Sequence, residues 1–294
     1  MMDWIPAKQI LTGSGAPGWF GMEYNMNLYR GCCHGCIYCD SRSACYGVEN
    51  FDTVRAKADC LTLLENELRR KRRRGVVGTG AMSDPYNPYE RQYRLTRGAL
   101  LLLDRYGFGV SIATKSDLIL RDTDVLTAIA RHSPAIARVT VTAGDDALAR
   151  LVEPGVCPSS ARFAAVRRLT EAGVFAGLLL MPVLPFIEDG EDNILRIVEQ
   201  AHAAGARFID AAFGVTLRQN QREYFYARLD ERFPGLRQRY VRAFGNAYEC
   251  PSPQAHRLWQ LFSAACERYG ILYRMEDIVA ASRAPYRREQ LSLV

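Results

Sequence analysis

The 294-residue chain lacks any apolar run long enough to cross a bilayer. A spanning helix needs about 20 consecutive apolar residues. The most apolar stretch, 174–186, is shorter and holds Pro182 and Pro185, so no membrane partner is expected. The first residues, Met1-Met2-Asp3-Trp4-Ile5-Pro6, have no basic stretch followed by an apolar one, so no secretory leader is expected. Lysine is scarce: Lys8, Lys57, Lys71 and Lys115 are the only lysines among 38 Lys plus Arg, leaving 34 arginines. Long internal repeats are absent as well. Hydrophobic residues at 48% and charged residues at 24% match an ordinary globular chain and exclude a disordered one. The net charge of +6 permits a nucleic-acid partner without requiring one.

Cysteine, by contrast, is abundant and unevenly placed. Of nine cysteines, Cys32, Cys33, Cys36 and Cys39 crowd into one short stretch, with Cys45 close behind. An odd number in a long chain without a leader does not suit a disulfide framework. A reduced, cytoplasmic protein is expected, with clustered thiols that serve as metal ligands or catalytic groups.

Short apolar runs alternate with helical patterns. Strands are predicted at Tyr24–Tyr29, Gly75–Thr79, Val110–Thr114, Ala137–Thr142, Gly177–Leu184 and Phe208–Phe213. Helices are predicted at Thr53–Arg73, Arg91–Tyr106, Asp122–His132, Ser159–Ala172 and Asp192–Ala204. Glycines 75, 107, 173 and 205 follow four of these helices, the usual place for a left-handed stop. Asp122 and Ser159 are candidate N-caps. This order predicts an α/β fold with a parallel sheet, either doubly wound or a partial (β/α)6 TIM-type barrel. Residues 1–20 are expected to be irregular, 21–215 to form the core, and 216–294 to form a mostly helical C-terminal extension. In the extension, helices are predicted at Gln219–Phe233 and Ala255–Tyr269, a short strand at Ile271–Tyr273, and a loose tail over the last ten residues.

Parallel α/β sheets bind ligands beyond their C-terminal strand ends. Just after the first predicted strand stands Asn27-Leu-Tyr-Arg-Gly-Cys32-Cys-His-Gly-Cys36-Ile-Tyr-Cys39-Asp. Three thiolates at this spacing can hold three irons of a [4Fe–4S] cube and leave the fourth iron open to a small molecule. A zinc site is the alternative, with Cys33, His34 or Cys45 completing four ligands.

With this motif the sequence resembles the radical SAM superfamily, whose hallmark is CxxxCxxC with an aromatic, here Tyr38, before the last cysteine. Tyr29-Arg-Gly-Cys-Cys-His-Gly-Cys-Ile-Tyr-Cys resembles the spore photoproduct lyase-like subfamily more narrowly. Ser83-Asp-Pro-Tyr-Asn-Pro-Tyr-Glu90, Thr114-Lys-Ser116, Glu153-Pro154 and Pro182-Val-Leu-Pro185 fit that likeness, which spans about 20–215. The resemblance implies that Cys32, Cys36 and Cys39 bind one [4Fe–4S] cluster. It implies an enzyme that cleaves S-adenosylmethionine reductively to a 5′-deoxyadenosyl radical, with flavodoxin or ferredoxin as reductant.

It further implies that Ser83 or Asp84 faces the methionine amino group and that Lys115 serves the carboxylate or ribose. Thr140 and Thr142 share a strand face and can meet a ribose, or they are ordinary β-branched strand residues. Arg162 either reaches the methionine carboxylate or pairs with Glu153. Met181 lies where freed backbone reads an adenine edge, or it is core. Glu90 is expected to cap the next helix, and Asp117 and Arg121 to be structural. The run Arg69–Arg74 is expected to be a solvated helix end, and the aromatic helix from Gln221 to pack on the core. One departure stands out: spore photoproduct lyases carry their hydrogen-donor cysteine where this chain has Ala81. The substrate class is left between nucleic acid and a peptide or small molecule. The competing reading is a non-catalytic Fe–S or zinc nucleic-acid-binding protein.

Overall fold

In a computed structural model of the chain, residues 2–14 and 18–286 are described. The loose tail expected at the C-terminus falls mostly outside them. Among the described residues twelve strands occur in chain order: β1 (Asp3–Ile5), β2 (Leu11–Gly13), β3 (Tyr24–Met26), β4 (Tyr29–Arg30), β5 (Arg55–Lys57), β6 (Val76–Thr79), β7 (Gly109–Thr114), β8 (Ala135–Thr140), β9 (Phe175–Leu180), β10 (Ile209–Ala211), β11 (Gly214–Thr216) and β12 (Glu249–Pro251). Seven form one sheet, in the order β10-β9-β8-β7-β6-β3-β2. The pairings from β3 through β10 are parallel, and β2 joins the edge antiparallel to β3. The fold is therefore mixed α/β with a seven-stranded sheet, consistent with the partial barrel that the alternation predicts.

The central strands are buried along their whole length, at every residue of β6, β7 and β8. Strands covered on both faces read as unbroken apolar runs, which is why the sequence reveals them. The helices show the 3.6-residue period instead. In Cys60–Arg70 the buried residues are Cys60, Leu64 and Leu68; in Leu95–Arg105 they include Leu95, Ala99 and Leu103. These stripes pack on the sheet in one continuous core.

Several expectations need correction. The described part of residues 1–20 is not wholly irregular: β1 pairs with β5, and β2 with β3. The helix expected from Thr53 starts only at Cys60, because β5 pairs with both β1 and β4 first. The helix expected over Arg91–Tyr106 is broken at Arg94, whose φ is 52°, into Glu90–Tyr93 and Leu95–Arg105. Thr142 lies beyond β8, which ends at Thr140. Ser159 is the first residue of its helix, preceded by Pro158 at the N-cap, and its hydroxyl has no partner. Leu272 makes only an isolated parallel bridge to Phe208. Two helices of the C-terminal region, Leu236–Phe244 and Met275–Arg283, carry short mixed patterns that the sequence reading missed.

Candidate cofactor site

The cysteine loop runs from the end of β4 to a 3-10 turn at Asp40–Arg42. Backbone hydrogen bonds hold it from two sides: Cys32 N donates to Phe51 O at 2.8 Å, Ile37 N to Val152 O at 3.0 Å, and Gly155 N to His34 O at 2.9 Å. Gly31 makes the entry turn possible. Its φ is +80°, and a Cβ there would sit 2.3 Å from the Thr53 carbonyl oxygen. Backbone of this kind costs roughly 1–3 kcal/mol for a residue with a side chain, before any clash. Gly31→Ala is thus expected to lower the unfolding midpoint in urea, and to lower the iron bound per chain after reconstitution.

Cys32, Cys36 and Cys39 line one small cavity of about 90 Å³ together with His34, Tyr38, Ser83, Asp84, Thr114, Lys115 and Thr140. Burial raises the Cys32 thiol, but the hydrogen bond and the charge of His34, helped by the Asp84 backbone, together outweigh it and the thiol is depressed. His34 Nδ1 in turn stands 3.5 Å from Asp84 Oδ2. Burial raises Cys36 well above its ordinary value and pushes Cys39 to about 11. Buried thiols of this kind bind metal as thiolates and release their protons on doing so. Lys115 stands half-buried beside Cys36, Glu153, Asp84 and Cys39; desolvation lowers its affinity for a proton, but these neighbours win and raise it.

A single zinc ion would need four donors converging on one point at about 2.0–2.3 Å. Among the described residues no group of three or more His, Cys, Asp or Glu is disposed to hold one ion. Three thiols spread around a common cavity suit a polynuclear cluster, in which each cysteine holds a different iron. Cys33 and Cys45 are exposed and line neither this cavity nor the larger one beside it.

A second network lies behind the loop. The Tyr38 hydroxyl donates to Glu153 Oε1, and Glu153 Oε2 pairs with Arg162 Nη1 at 2.6 Å. Arg162 Nη1 also donates to Thr140 O at 2.8 Å, and its Nε to Cys157 O at 3.1 Å. Both charged side chains are 1% exposed. Of the two roles open to Arg162, the structure has the pairing with Glu153; Arg162 lies outside both cavities at the strand ends. Thr142 is likewise turned away: its hydroxyl donates to Glu188 Oε1 at 2.7 Å.

Ser83 and Asp84 do reach the cavity, although each already has partners. Ser83 Oγ donates to Gly31 O at 2.5 Å. Asp84 accepts from Tyr86 N, Thr114 Oγ1 and Lys115 N at 2.7–2.8 Å. These bonds tie the ends of β6 and β7 to the cysteine loop. Glu90 Oε1 accepts from Thr96 N at 2.6 Å, in the first turn of Leu95–Arg105, so it caps that helix. Arg121 pairs with Glu90 and Asp122 and is structural.

Beside the cysteine cavity opens a larger one of about 650 Å³. Tyr38, Cys39, Lys115, Thr140 and Met181 line it, and so does Ala81. Trp19, Phe213 and the β12 residues Glu249, Cys250 and Pro251 complete its wall. The sequence reading missed these last contributors, since nothing local marks Trp19 or β12 as neighbours of a cysteine loop.

Glu188 carries a pH consequence. Burial raises its carboxyl to about 8, with the Thr142 hydroxyl opposing and Glu153 adding to the rise; Leu184 N and Arg162 oppose it. A carboxyl raised in the folded state favours folding below its unfolded value near 4.5 and loses that contribution as pH climbs through about 8. Stability is expected to fall across this window, with a slope of up to about 1.4 kcal/mol per pH unit from this one group. Glu188→Gln should remove that slope, as followed by urea unfolding from pH 5 to 8.5.

The sequence model of the radical SAM superfamily matches residues 26–198. An uncharacterised protein of Mycobacterium tuberculosis is 34% identical over 74% of this chain and 66% of its own length. An uncharacterised protein of Methanocaldococcus jannaschii is 30% identical over 64% of this chain and 69% of its own. The chain thus spans a little under two thirds of the mycobacterial relative. Among solved structures, spore photoproduct lyase complexed with dinucleoside spore photoproduct overlays with a TM-score of 0.64 at 15% identity, covering 90% of this chain and 79% of that one. The radical S-adenosylmethionine methyltransferase TsrM of Kitasatospora setae, with tryptophan substrate and a SAM analogue bound, gives a TM-score of 0.57 at 12% identity. It covers 89% of this chain and 58% of that one. At these identities the likeness is one of fold.

Proposed function

Because the chain belongs to the radical SAM superfamily, we propose that it is a radical enzyme whose [4Fe–4S] cluster is held by Cys32, Cys36 and Cys39. The observation that carries this reading is the set of three cysteines around one cavity, which shares Tyr38, Cys39, Lys115 and Thr140 with a pocket of about 650 Å³. When bound, the cluster supplies the electron that splits S-adenosylmethionine into methionine and a 5′-deoxyadenosyl radical. This chain's own residues bind, orient and shield. Lys115 offers a half-buried cation to the methionine carboxylate, Ser83 and Asp84 stand near the amino group, and Thr140, Tyr38 and Met181 border the nucleoside. Arg162 and Glu153 act one step back by fixing Tyr38, and Thr142 is withdrawn from the set. The buried surroundings keep water from a reactive radical.

Six parallel strands in a partial (β/α)6 barrel, with 216–294 as an extension that narrows its mouth, complete the reading. Thr216 and residues 249–251 on the pocket wall support that role for the extension. The substrate enters from this larger pocket. A nucleic acid fits the positive charge; a peptide or small molecule fits the pocket volume. Ala81 on the wall gives the pocket no thiol at the place where spore photoproduct lyases have their hydrogen donor, which argues for a different substrate. Free thiols throughout the described chain favour a reducing cytoplasm, where flavodoxin or ferredoxin serves as electron donor.

The test is anaerobic. Chain reconstituted with iron and sulfide, reduced and given S-adenosylmethionine is expected to release 5′-deoxyadenosine, measured by mass spectrometry. Cys36→Ala should bind little iron and release none above background. A colourless protein that takes up zinc, with no iron or sulfide, would instead favour the non-catalytic binding protein.

A further inference from the structure

One buried cation has no part in the cofactor reading. Ala113, Thr140 and Leu179 face the large pocket. Two residues earlier on the same strands, and so on the same face of the sheet, stand Ser111, Arg138 and Gly177. Arg138 is 1% exposed, and Ser111 is fully buried. Arg138 Nη2 donates to Ser111 O at 3.0 Å and to Thr79 O at 3.3 Å. Its Nε and Nη1 have no partner, and neither does Ser111 Oγ. Asp210 acts on the guanidinium electrostatically without forming an ion pair with it, and its Oδ2 accepts from Trp19 Nε1 at 2.7 Å.

An isolated buried charge is costly, and natural proteins seldom leave one unpaired. Burial lowers this arginine to about 9, a measure of how poorly the surroundings serve it. Arg138 and Ser111 themselves line neither cavity at the strand ends, so a route from the pocket to them leads past Trp19. The Trp19 ring centroid lies 4.8 Å from the guanidinium, and Trp19 itself lines the large pocket and is 39% exposed. A guanidinium with free N–H groups is the side chain best matched to carboxylate or phosphate oxygens.

We propose that Arg138, with Ser111, anchors an anionic group, a carboxylate or a phosphate, of a molecule that enters through the large pocket. Trp19 stacks over the guanidinium and yields to the incoming anion. The inference is independent of the cofactor reading: this polar group and the pocket above it do not depend on what the cysteines hold.

The test uses the full chain carrying Trp4→Phe and Trp259→Phe, so that Trp19 is the one remaining tryptophan of three. Its emission is followed, with and without reconstituted cluster, during titration with inorganic phosphate or with acetate at constant ionic strength, chloride serving as reference. A saturable change with phosphate alone identifies a phosphoryl anchor; one with acetate alone, or with both, identifies a carboxylate or a general oxyanion anchor. Arg138→Met should abolish the response. Asp210→Asn removes a competing negative charge and should tighten binding, by roughly tenfold for about 1.4 kcal/mol, so the proposal stays testable if Arg138→Met does not fold. No saturable response to either anion, in the parent and in Asp210→Asn alike, would overturn the proposal.

Discussion

Glu153→Ala is expected to destabilise the chain by about 3–5 kcal/mol, the usual cost of leaving one partner of a buried ion pair alone. The reason is the number of groups that meet on this carboxylate. Arg162 would be left charged and buried, keeping only carbonyl partners at Thr140 and Cys157. Tyr38 would lose the acceptor of its buried hydroxyl, and Lys115 a nearby counter-charge. Since Tyr38 lies between Cys36 and Cys39, the loss extends to the cysteine loop. Urea unfolding should read the stability change. Iron analysis after reconstitution should read the second effect, with less iron bound than in the parent. The double variant Glu153→Gln with Arg162→Met removes both charges and should recover part of the stability, because the penalty comes from the unpaired charge more than from the lost attraction. A double variant no better than Glu153→Ala would place the cost in packing.

The same pair explains what the sequence made legible and what it did not. The cysteine spacing is local, and its chemistry can be read from a single loop. The unbroken burial of β6, β7 and β8 is equally local, since it shows as apolar runs. Arg162 was open between two partners because its choice is a contest between a ligand carboxylate and Glu153, nine residues away, and only three-dimensional placement decides it. Thr142 was misplaced because β8 stops at Thr140; a strand two residues longer would have put it on the same face as Thr140. Trp19 and β12 were invisible for another reason. They reach the pocket from positions far apart in the chain, and no periodicity encodes such a meeting. The N-terminal strands escaped because β1 and β2 are three residues each, too short to display alternation. Arg138 was hidden within an apolar run that marks a buried strand, where its charge is the exception.

Lys115→Met carries the second large effect and separates two roles that the geometry joins. The lysine is half-buried, its ammonium 5.7 Å from the Tyr38 ring centroid, and it borders both the cysteine cavity and the large pocket. If its main partner is the carboxylate of S-adenosylmethionine, the loss of a charge-assisted bond is expected to weaken cofactor binding by about 2–3 kcal/mol, or roughly 30- to 150-fold. Equilibrium dialysis on the iron-loaded chain measures this directly. Methionine keeps the length and apolar bulk of the stem, so packing is little disturbed. If instead the lysine mainly offsets the negative charge of the cysteine thiolates and Glu153, iron retention falls while the affinity of the remaining loaded chain for S-adenosylmethionine holds. Lys115→Arg sharpens the distinction. It restores charge in either case, but its planar fork needs more room than the ammonium does, so iron retention should recover more fully than cofactor affinity. The expected result is near-parental iron content with strongly weakened S-adenosylmethionine binding in Lys115→Met. That outcome would assign Lys115 to the cofactor rather than to the cluster.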